Sequence, residues 1–249
     1  MRIAIIVQAR MGSTRLPGKV LRKVSGKPLL GYLIERLRKV KQMDHLVVAT
    51  THQAEDQIIV DYCQALNVDV FRGSEGNVLD RYIQAGKFAL ADIVVRITAD
   101  CPIIDPQIVD QLITFYLSHD YHFVSNALMR TFPYGMEVEV FSLKDLIRAA
   151  DCSTTAEEQE HVTPVFYLHP KSFKIFNVTF PEDLSRYRLT VDTPADFEVV
   201  KHLIETLYPS NPFFNLNEMI LLLKEHPEWV ELNAHIPHKT LKSLRTQSE

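Results

Sequence analysis

The stretch Ile3-Ala4-Ile5-Ile6-Val7, running directly into Gln8-Ala9-Arg10-Met11-Gly12-Ser13-Thr14-Arg15-Leu16-Pro17-Gly18-Lys19, decides the fold. A short apolar run rich in β-branched residues predicts a buried strand. A glycine-bearing loop after such a strand is where an α/β sheet binds phosphates. Gly12 and Gly18 allow a tight turn and a close backbone approach, while Arg10, Arg15 and Lys19 supply charged donors suited to a polyphosphate. The loop contains neither G-x-x-x-x-G-K-[ST] nor G-x-G-x-x-G, so P-loop ATPase and Rossmann dehydrogenase readings lose their main support.

Outward from this loop, His45 to Thr50, Val68 to Phe71 and Ile93 to Thr98 also read as strands. Between them, Leu29-Leu30, Leu33-Ile34, Leu37 and Val40 recur at helical spacing, as do Ile58-Ile59, Tyr62 and Leu66, and then Tyr82, Ala85, Ala89 and Leu90. Strands alternating with helices predict an α/β fold: a mainly parallel sheet flanked by helices, with ligands at the carboxyl ends of its strands. Those ends carry the cationic loop, Thr50-Thr51, Arg72-Gly73-Ser74 and Asp100-Cys101-Pro102.

Pro106 to Ser118 reads as a further helix. Beyond it, Tyr121 to Val124 and Met136 to Phe141 read as strands around the irregular stretch Asn126 to Gly135. Leu143 to Ala150 and Thr155 to Leu168 suit helices, Phe173 to Phe180 and Arg188 to Val191 suit strands, and Pro194 to Leu207 suits a helix opened by proline. Asn217 to Glu225 reads as another helix, and Lys239 to Glu249 as a polar tail.

The 249 residues, 46% hydrophobic and 23% charged, suffice for one α/β domain with a full core. A net charge of −4 without a basic, aromatic-interleaved tract excludes an electrostatic case for nucleic acid or anionic membranes. Cations concentrate locally between Arg10 and Lys41, which suits a small anionic ligand. Cys63, Cys101 and Cys152 lie far apart without metal-ligand spacing, which fits a reduced, cytoplasmic setting. No apolar run approaches about 20 residues, so no membrane insertion is expected.

Two carboxylates end predicted strands: Asp100 before Cys101-Pro102 and Asp192 before Thr193-Pro194. Two distant aspartates meeting beside a triphosphate cleft form the sparse oxygen-ligand set that suits Mg²⁺. Asp192 reads equally as the N-cap of the helix that Pro194 opens. In Met136-Glu137-Val138-Glu139 the alternation places Glu137 and Glu139 on one strand face, either solvated or turned to a ligand.

At this point the chain resembles the cytidylyltransferase superfamily that makes CMP-activated acidic sugars, closest to its spore-coat polysaccharide biosynthesis branch. The residues carrying the resemblance are the phosphate loop, Gly26-Lys27-Pro28-Leu29, Arg72 to Tyr82, Asp100-Cys101-Pro102, Glu160-His161-Val162-Thr163 and Leu189 to Pro194. It implies a nucleotide-diphospho-sugar transferase fold of the glycosyltransferase-A kind over residues 1–207, with a sugar-binding and dimerisation insertion at about 126–168. Residues 208–249 would add a helical extension and the polar tail.

The resemblance further implies CTP, Mg²⁺ and a sugar or sugar-acid acceptor, with homodimer contacts through the insertion. Arg10, Arg15 and Lys19 would bind phosphates, and Asp100 and Asp192 the metal, Arg10, Lys19 and the two aspartates forming the catalytic set. Gln8, Ala9, Gly12, Ser13, Ser74, Arg81 and Ala99 would complete the nucleotide site. Tyr134, Glu137, Glu139 and His161 would face the acceptor, although Arg81 also reads as a helix-surface residue and His161 as a structural one. The implied reaction is attack of a sugar oxygen on the α-phosphorus of CTP, with pyrophosphate leaving in line. The alternatives are a nucleotide-sugar-dependent glycosyltransferase and a non-catalytic nucleotide-binding protein. The first normally carries Asp-x-Asp where this chain has Asp100-Cys101-Pro102; the second predicts a damaged site.

Overall fold

The computed structural model describes residues 1–153 and 155–237. The expected tail, Lys239 to Glu249, lies outside the described residues. In chain order the elements are β1 (Ile3–Gln8), a 3₁₀ turn at Lys19–Leu21, β2 (Lys23–Val24), β3 (Lys27–Pro28), α1 (Leu29–Leu37), β4 (His45–Thr51), α2 (Gln57–Ala65), β5 (Asp69–Gly73), α3 (Val78–Phe88) and β6 (Ile93–Thr98). They continue with α4 (Pro106–Ser118), β7 (Phe123–Ser125), β8 (Glu139–Ser142), α5 (Leu143–Cys152), α6 (Ala156–His161), α7 (Pro164–Leu168), β9 (Ile175–Asn177), α8 (Pro194–Leu207), α9 (Leu216–Glu225) and α10 (Pro227–Ala234).

The main sheet runs β5-β4-β1-β6-β8-β7-β9. β1 pairs in parallel with β4 and β6, and β4 with β5. β8 lies antiparallel to both its neighbours, β6 and β7, while β7 and β9 are parallel. The fold is thus the expected mainly parallel sheet flanked by helices.

Alternation along β1 explains the layering. Ile3, Ile5 and Val7 face one core with α1, α2, α4, α8 and α9; Ala4 and Ile6 face a second core with α3, α5 and α7. Both faces are covered, which is why the central strands read as unbroken apolar runs.

Helix α9 belongs to the first core through Leu216, Met219, Ile220 and Leu223. The buried Arg36 guanidinium fixes its approach, donating to the carbonyls of Ile104 at 2.7 Å, Pro212 at 3.2 Å and Phe214 at 2.5 Å. Helix α10, which the sequence reading did not anticipate, packs on α8 and α9. No helix among the described residues is long and apolar enough to cross a membrane.

Two expected elements differ. Arg188 to Val191 forms no strand; it makes one isolated bridge, Tyr134 to Arg188, while Leu189 N donates to the Tyr134 carbonyl and Val191 N to the Asp100 carbonyl. The expected helix Thr155 to Leu168 is two helices, broken at Val162, whose φ of 71° is left-handed, just before Thr163-Pro164. A proline has no amide hydrogen and crowds the residue before it, so a break there follows.

Candidate active site

Met11 closes the loop after β1. Its carbonyl accepts from Ser13 N at 2.8 Å and Gly18 N at 3.0 Å, and its own amide donates to the buried Asp56 carboxylate at 2.7 Å. Leu16 and Val20 anchor the loop in the core, and Gly18 turns it in the left-handed region at φ 67°. That turn delivers Lys19 to the sheet edge.

Lys19 Nζ donates to Asp100 Oδ2 at 2.9 Å and to Asp192 Oδ1 at 2.8 Å. Arg15 Nη2 reaches the same Asp192 oxygen at 2.8 Å. Burial opposes the charge on Lys19, but Asp100 and Asp192 outweigh it and raise its pKa above the ordinary lysine value. For Asp100, burial alone would raise the pKa; the Lys19 charge and hydrogen bonds from Thr98, Lys19 and Cys101 outweigh burial and lower it. Lys19 and Asp100 thus each favour the charged form of the other.

Asp192 is not the helix cap. Thr193 caps α8, its side chain accepting from Asp196 N while the Asp196 carboxylate reaches back to Thr193 N at 2.9 Å. With the cap supplied next door, the Asp192 carboxylate is left for Lys19 and Arg15.

Beside this cluster opens a cleft of about 220 Å³. Its second wall comes from the excursion between β7 and β8. Arg130 stacks over the Tyr134 ring, 3.7 Å from its centroid, and pairs with Glu137 Oε1 at 2.5 Å. Glu137 Oε2 accepts from Gly135 N at 2.7 Å. Gly135 has φ 100°, and a Cβ there would lie 2.5 Å from the Leu189 carbonyl carbon and 2.6 Å from Thr190 N, so only glycine lets the two arms touch.

The expected site residues divide accordingly. Lys19, Arg15, Asp100, Asp192, Tyr134 and Glu137 converge on the cleft and its edge. Gln8 and Ala99 continue the β1–β6 ladder through Ala99 N to Gln8 O at 3.0 Å, and Ala9 bonds to Ala49 O at 3.1 Å. Ser13 Oγ accepts from Leu16 N, a role internal to the loop. Arg10 stands apart from the lysine cluster, 3.7 Å from Glu75, with the Glu55 carboxylate against Gly12. Ser74 is exposed and its carbonyl accepts from the buried Arg81, whose pKa burial lowers.

Met136, Val138 and Val140 all enter the first core, which leaves Glu137 and Glu139 on the other side of the segment, but the two carboxylates have different partners. Glu139, at the start of β8 opposite Arg96, is buried in an ion pair with that arginine at 2.5 Å and accepts from Thr163 Oγ1. Glu137, two residues before β8, pairs instead with Arg130 and the Gly135 amide at the cleft. His161 is exposed at the end of α6 and does not line the cleft.

Sequence reasoning missed Arg130, Arg188, Asp196 and Asn233. Arg188 lines the cleft and pairs with Asp196 through Nε to Oδ1 at 2.9 Å. The spacing Arg188-x-x-x-Asp192-x-x-x-Asp196 and the capping box Thr193-x-x-Asp196 were the available signals. Nothing in the sequence marks Arg130.

Comparison with known proteins follows the same lines. A family model described as cytidylyltransferase matches residues 4–225. An uncharacterized protein of Methanocaldococcus jannaschii is 37% identical over 246 residues, 98% of this chain and 99% of its own. The spore coat polysaccharide biosynthesis protein SpsF of Bacillus subtilis is 36% identical over 235 residues, covering 91% of this chain and 95% of its own. A solved cytidylyltransferase structure from Leptospira borgpetersenii superposes with a TM-score of 0.90 at 35% identity, covering 96% of this chain and 100% of that one.

Proposed function

From the premise that the chain belongs to the cytidylyltransferase family, we propose that it transfers CMP from CTP to a hydroxyl of a sugar or sugar acid, releasing pyrophosphate, in the synthesis of a surface polysaccharide or glycan. The observation that carries this reading is the ammonium group of Lys19 held between Asp100 and Asp192 at the end of a phosphate-type loop. The name of the Bacillus subtilis relative supports the polysaccharide context, and three free thiols support a cytoplasmic one.

The donor set fits Mg²⁺. Asp100 and Asp192 are hard oxygen donors brought together from different segments, and among the described residues no group of three or more His, Cys, Asp or Glu side chains gathers for a fully protein-ligated metal. Asp100 and Asp192 would hold the ion. When bound, it would neutralise phosphate charge and acidify a coordinated hydroxyl.

The remaining work belongs to the chain itself. Lys19 and Arg15, placed by the two carboxylates, supply positive charge where negative charge accumulates on the departing pyrophosphate. On the opposite wall Glu137, oriented by Arg130 and by the Gly135 amide, accepts a hydrogen bond from an acceptor hydroxyl and fixes its direction of attack. The Arg130–Tyr134 stack gives that wall a flat face against which a sugar ring packs.

Incubation with each nucleoside triphosphate, Mg²⁺ and a panel of sugar acids and sugar phosphates tests the reading. Pyrophosphate release with CTP and one acceptor class is expected. No release with any acceptor, combined with tight binding of an intact nucleotide sugar, would overturn it in favour of glycosyl transfer.

A further inference from the structure

Helix α10 lies beyond the residues matched by the family model. Its one buried residue is an amide, Asn233, 2% exposed. Trp229 and Val230 pack only partly buried against the core. A helix docked for stability alone would bury an apolar side chain at its deepest point, because a buried amide costs free energy unless its bonds are made. The Asn233 bonds are made: Nδ2 donates to Asp196 Oδ1 and to the Arg188 carbonyl, each at 3.0 Å.

Asp196, fully buried, gathers the neighbourhood of Asp192. Its Oδ1 accepts from Arg188 Nε at 2.9 Å; its Oδ2 accepts from Arg188 Nη2 at 3.1 Å, Asp192 N at 3.1 Å and Thr193 N at 2.9 Å. Arg188 Nη2 in turn stands 3.5 Å from Asp192 Oδ2, on the side of that carboxylate away from Lys19. Charge is balanced along the chain: burial opposes both charges, yet the pair holds the pKa of Arg188 up and that of Asp196 down.

We propose that Asn233 is a positioning residue for the nucleotidyl-transfer site, fixing Asp192 through Asp196 and Arg188, so that the C-terminal helix is part of the active site. The inference rests on the role given to Asp192 above. A donor amide at position 233 locks the Asp196 carboxylate in the plane that grips Arg188 and the Asp192 backbone. Remove that donor and Asp196 Oδ1 keeps Arg188 Nε, while the Arg188 carbonyl loses its side-chain donor, so the Arg188–Asp196 pair is no longer held from the α10 side. The Asp192 backbone amide, bonded to the Asp196 carboxylate, then shifts with it and moves the Asp192 carboxylate relative to Lys19 and Arg15.

The test reads Asp192 directly. In the full chain carrying ¹³Cγ-labelled aspartate, the Asp192 resonance is assigned by its loss in Asp192→Asn and followed in the free protein. Asn233→Leu is expected to shift it while leaving in place the resonance of Asp44, which accepts from Ile3 N at 2.8 Å at the amino end of β1. Trp229→Ala, which loosens the same helix without touching the polar chain, is expected to leave Asp192 unmoved. In turnover, Asn233→Leu lowers kcat about tenfold with KM for CTP nearly unchanged, as loss of an outer-shell partner does. An unmoved Asp192 resonance in Asn233→Leu, or an equal shift in Trp229→Ala, would overturn the proposal. Should Asn233→Leu fail to fold, Asn233→Ser, too short to span both acceptors, carries the same readout. Because the resonance is read without ligand, absence of pyrophosphate release by the unaltered protein would count against cytidylyl transfer and leave the positioning result standing.

Discussion

The amide of Val191 donates to the carbonyl of Asp100 at 2.7 Å. This single backbone bond, with Thr190 Oγ1 on the same carbonyl at 3.2 Å, stitches the arm before α8 to the end of β6. It places Asp192 next to Asp100 without any strand pairing there. The two carboxylates then share one ammonium group, and the consequences are measurable.

Lys19→Met leaves two partly buried carboxylates facing each other. Removing one partner of such a cluster costs about 2 kcal/mol, less than for a fully buried pair because water still reaches Asp100 and Asp192. Urea unfolding should report that loss, and CTP affinity should fall about tenfold as charge stabilisation of the phosphates is removed. Unchanged affinity would remove Lys19 from the phosphate site.

Asp100→Asn and Asp192→Asn should each lower Mg²⁺-dependent pyrophosphate release by about a hundredfold or more. Their circular dichroism should match the unaltered protein, since neither side chain supports the core. Near-normal turnover in either variant would exclude that carboxylate from the metal.

The cluster also sets a pH signature. Asp100 is held below the ordinary carboxylate value, so its contribution to stability is present above about pH 4 and is lost as pH falls through its lower folded value. Lys19 is held above the ordinary lysine value, so its contribution is present below about pH 10 and lost only above its raised folded value. The stability gap between the unaltered protein and Asp100→Asn should therefore narrow on acidification below about pH 4 in chemical denaturation series. A gap independent of pH would contradict the ion-pair account.

Glu137→Gln and Arg130→Ala act on the other wall. Each should raise KM for the acceptor about tenfold while KM for CTP stays within a factor of about two, because only acceptor orientation is disturbed. Equal increases for both substrates would place these residues at the nucleotide instead.

Gly135→Ala drives a Cβ into the Leu189–Thr190 peptide, whose backbone has no room to yield. Combined with a φ of 100°, this should cost about 3 kcal/mol, read as a lowered melting temperature. A smaller change with loss of turnover would mean that the arm carrying Asp192 shifts instead of unfolding.

The parallel half of the sheet was legible because β1, β4 and β6 are buried on both faces and their helices repeat cleanly at 3.6 residues. That a loop bearing glycines and cations follows β1 was legible because those residues are local in sequence. What escaped is non-local. Whether Arg188 to Val191 pairs as a strand depends on what Tyr134 and Asp100 offer it, and Glu139 turns inward because Arg96 stands opposite on β6. The break at Val162 was available in Thr163-Pro164 and was overridden by the apolar spacing around it. Asn233 carries no signal in a segment whose periodicity is weak.

The reversed strand β8 has a further consequence. Because it runs against β6, the loop that leads into it opens on the same edge as the loops that leave the parallel strands, and Arg130, Tyr134 and Glu137 arrive at the cleft from a continuous excursion. The wall proposed to face the acceptor therefore comes from one contiguous segment, residues 126–138, tethered at both ends to the paired strands β7 and β8. On the proposed reading, replacing or lengthening that segment would change which acceptor is taken and leave the residues at the ends of β1 and β6 in place.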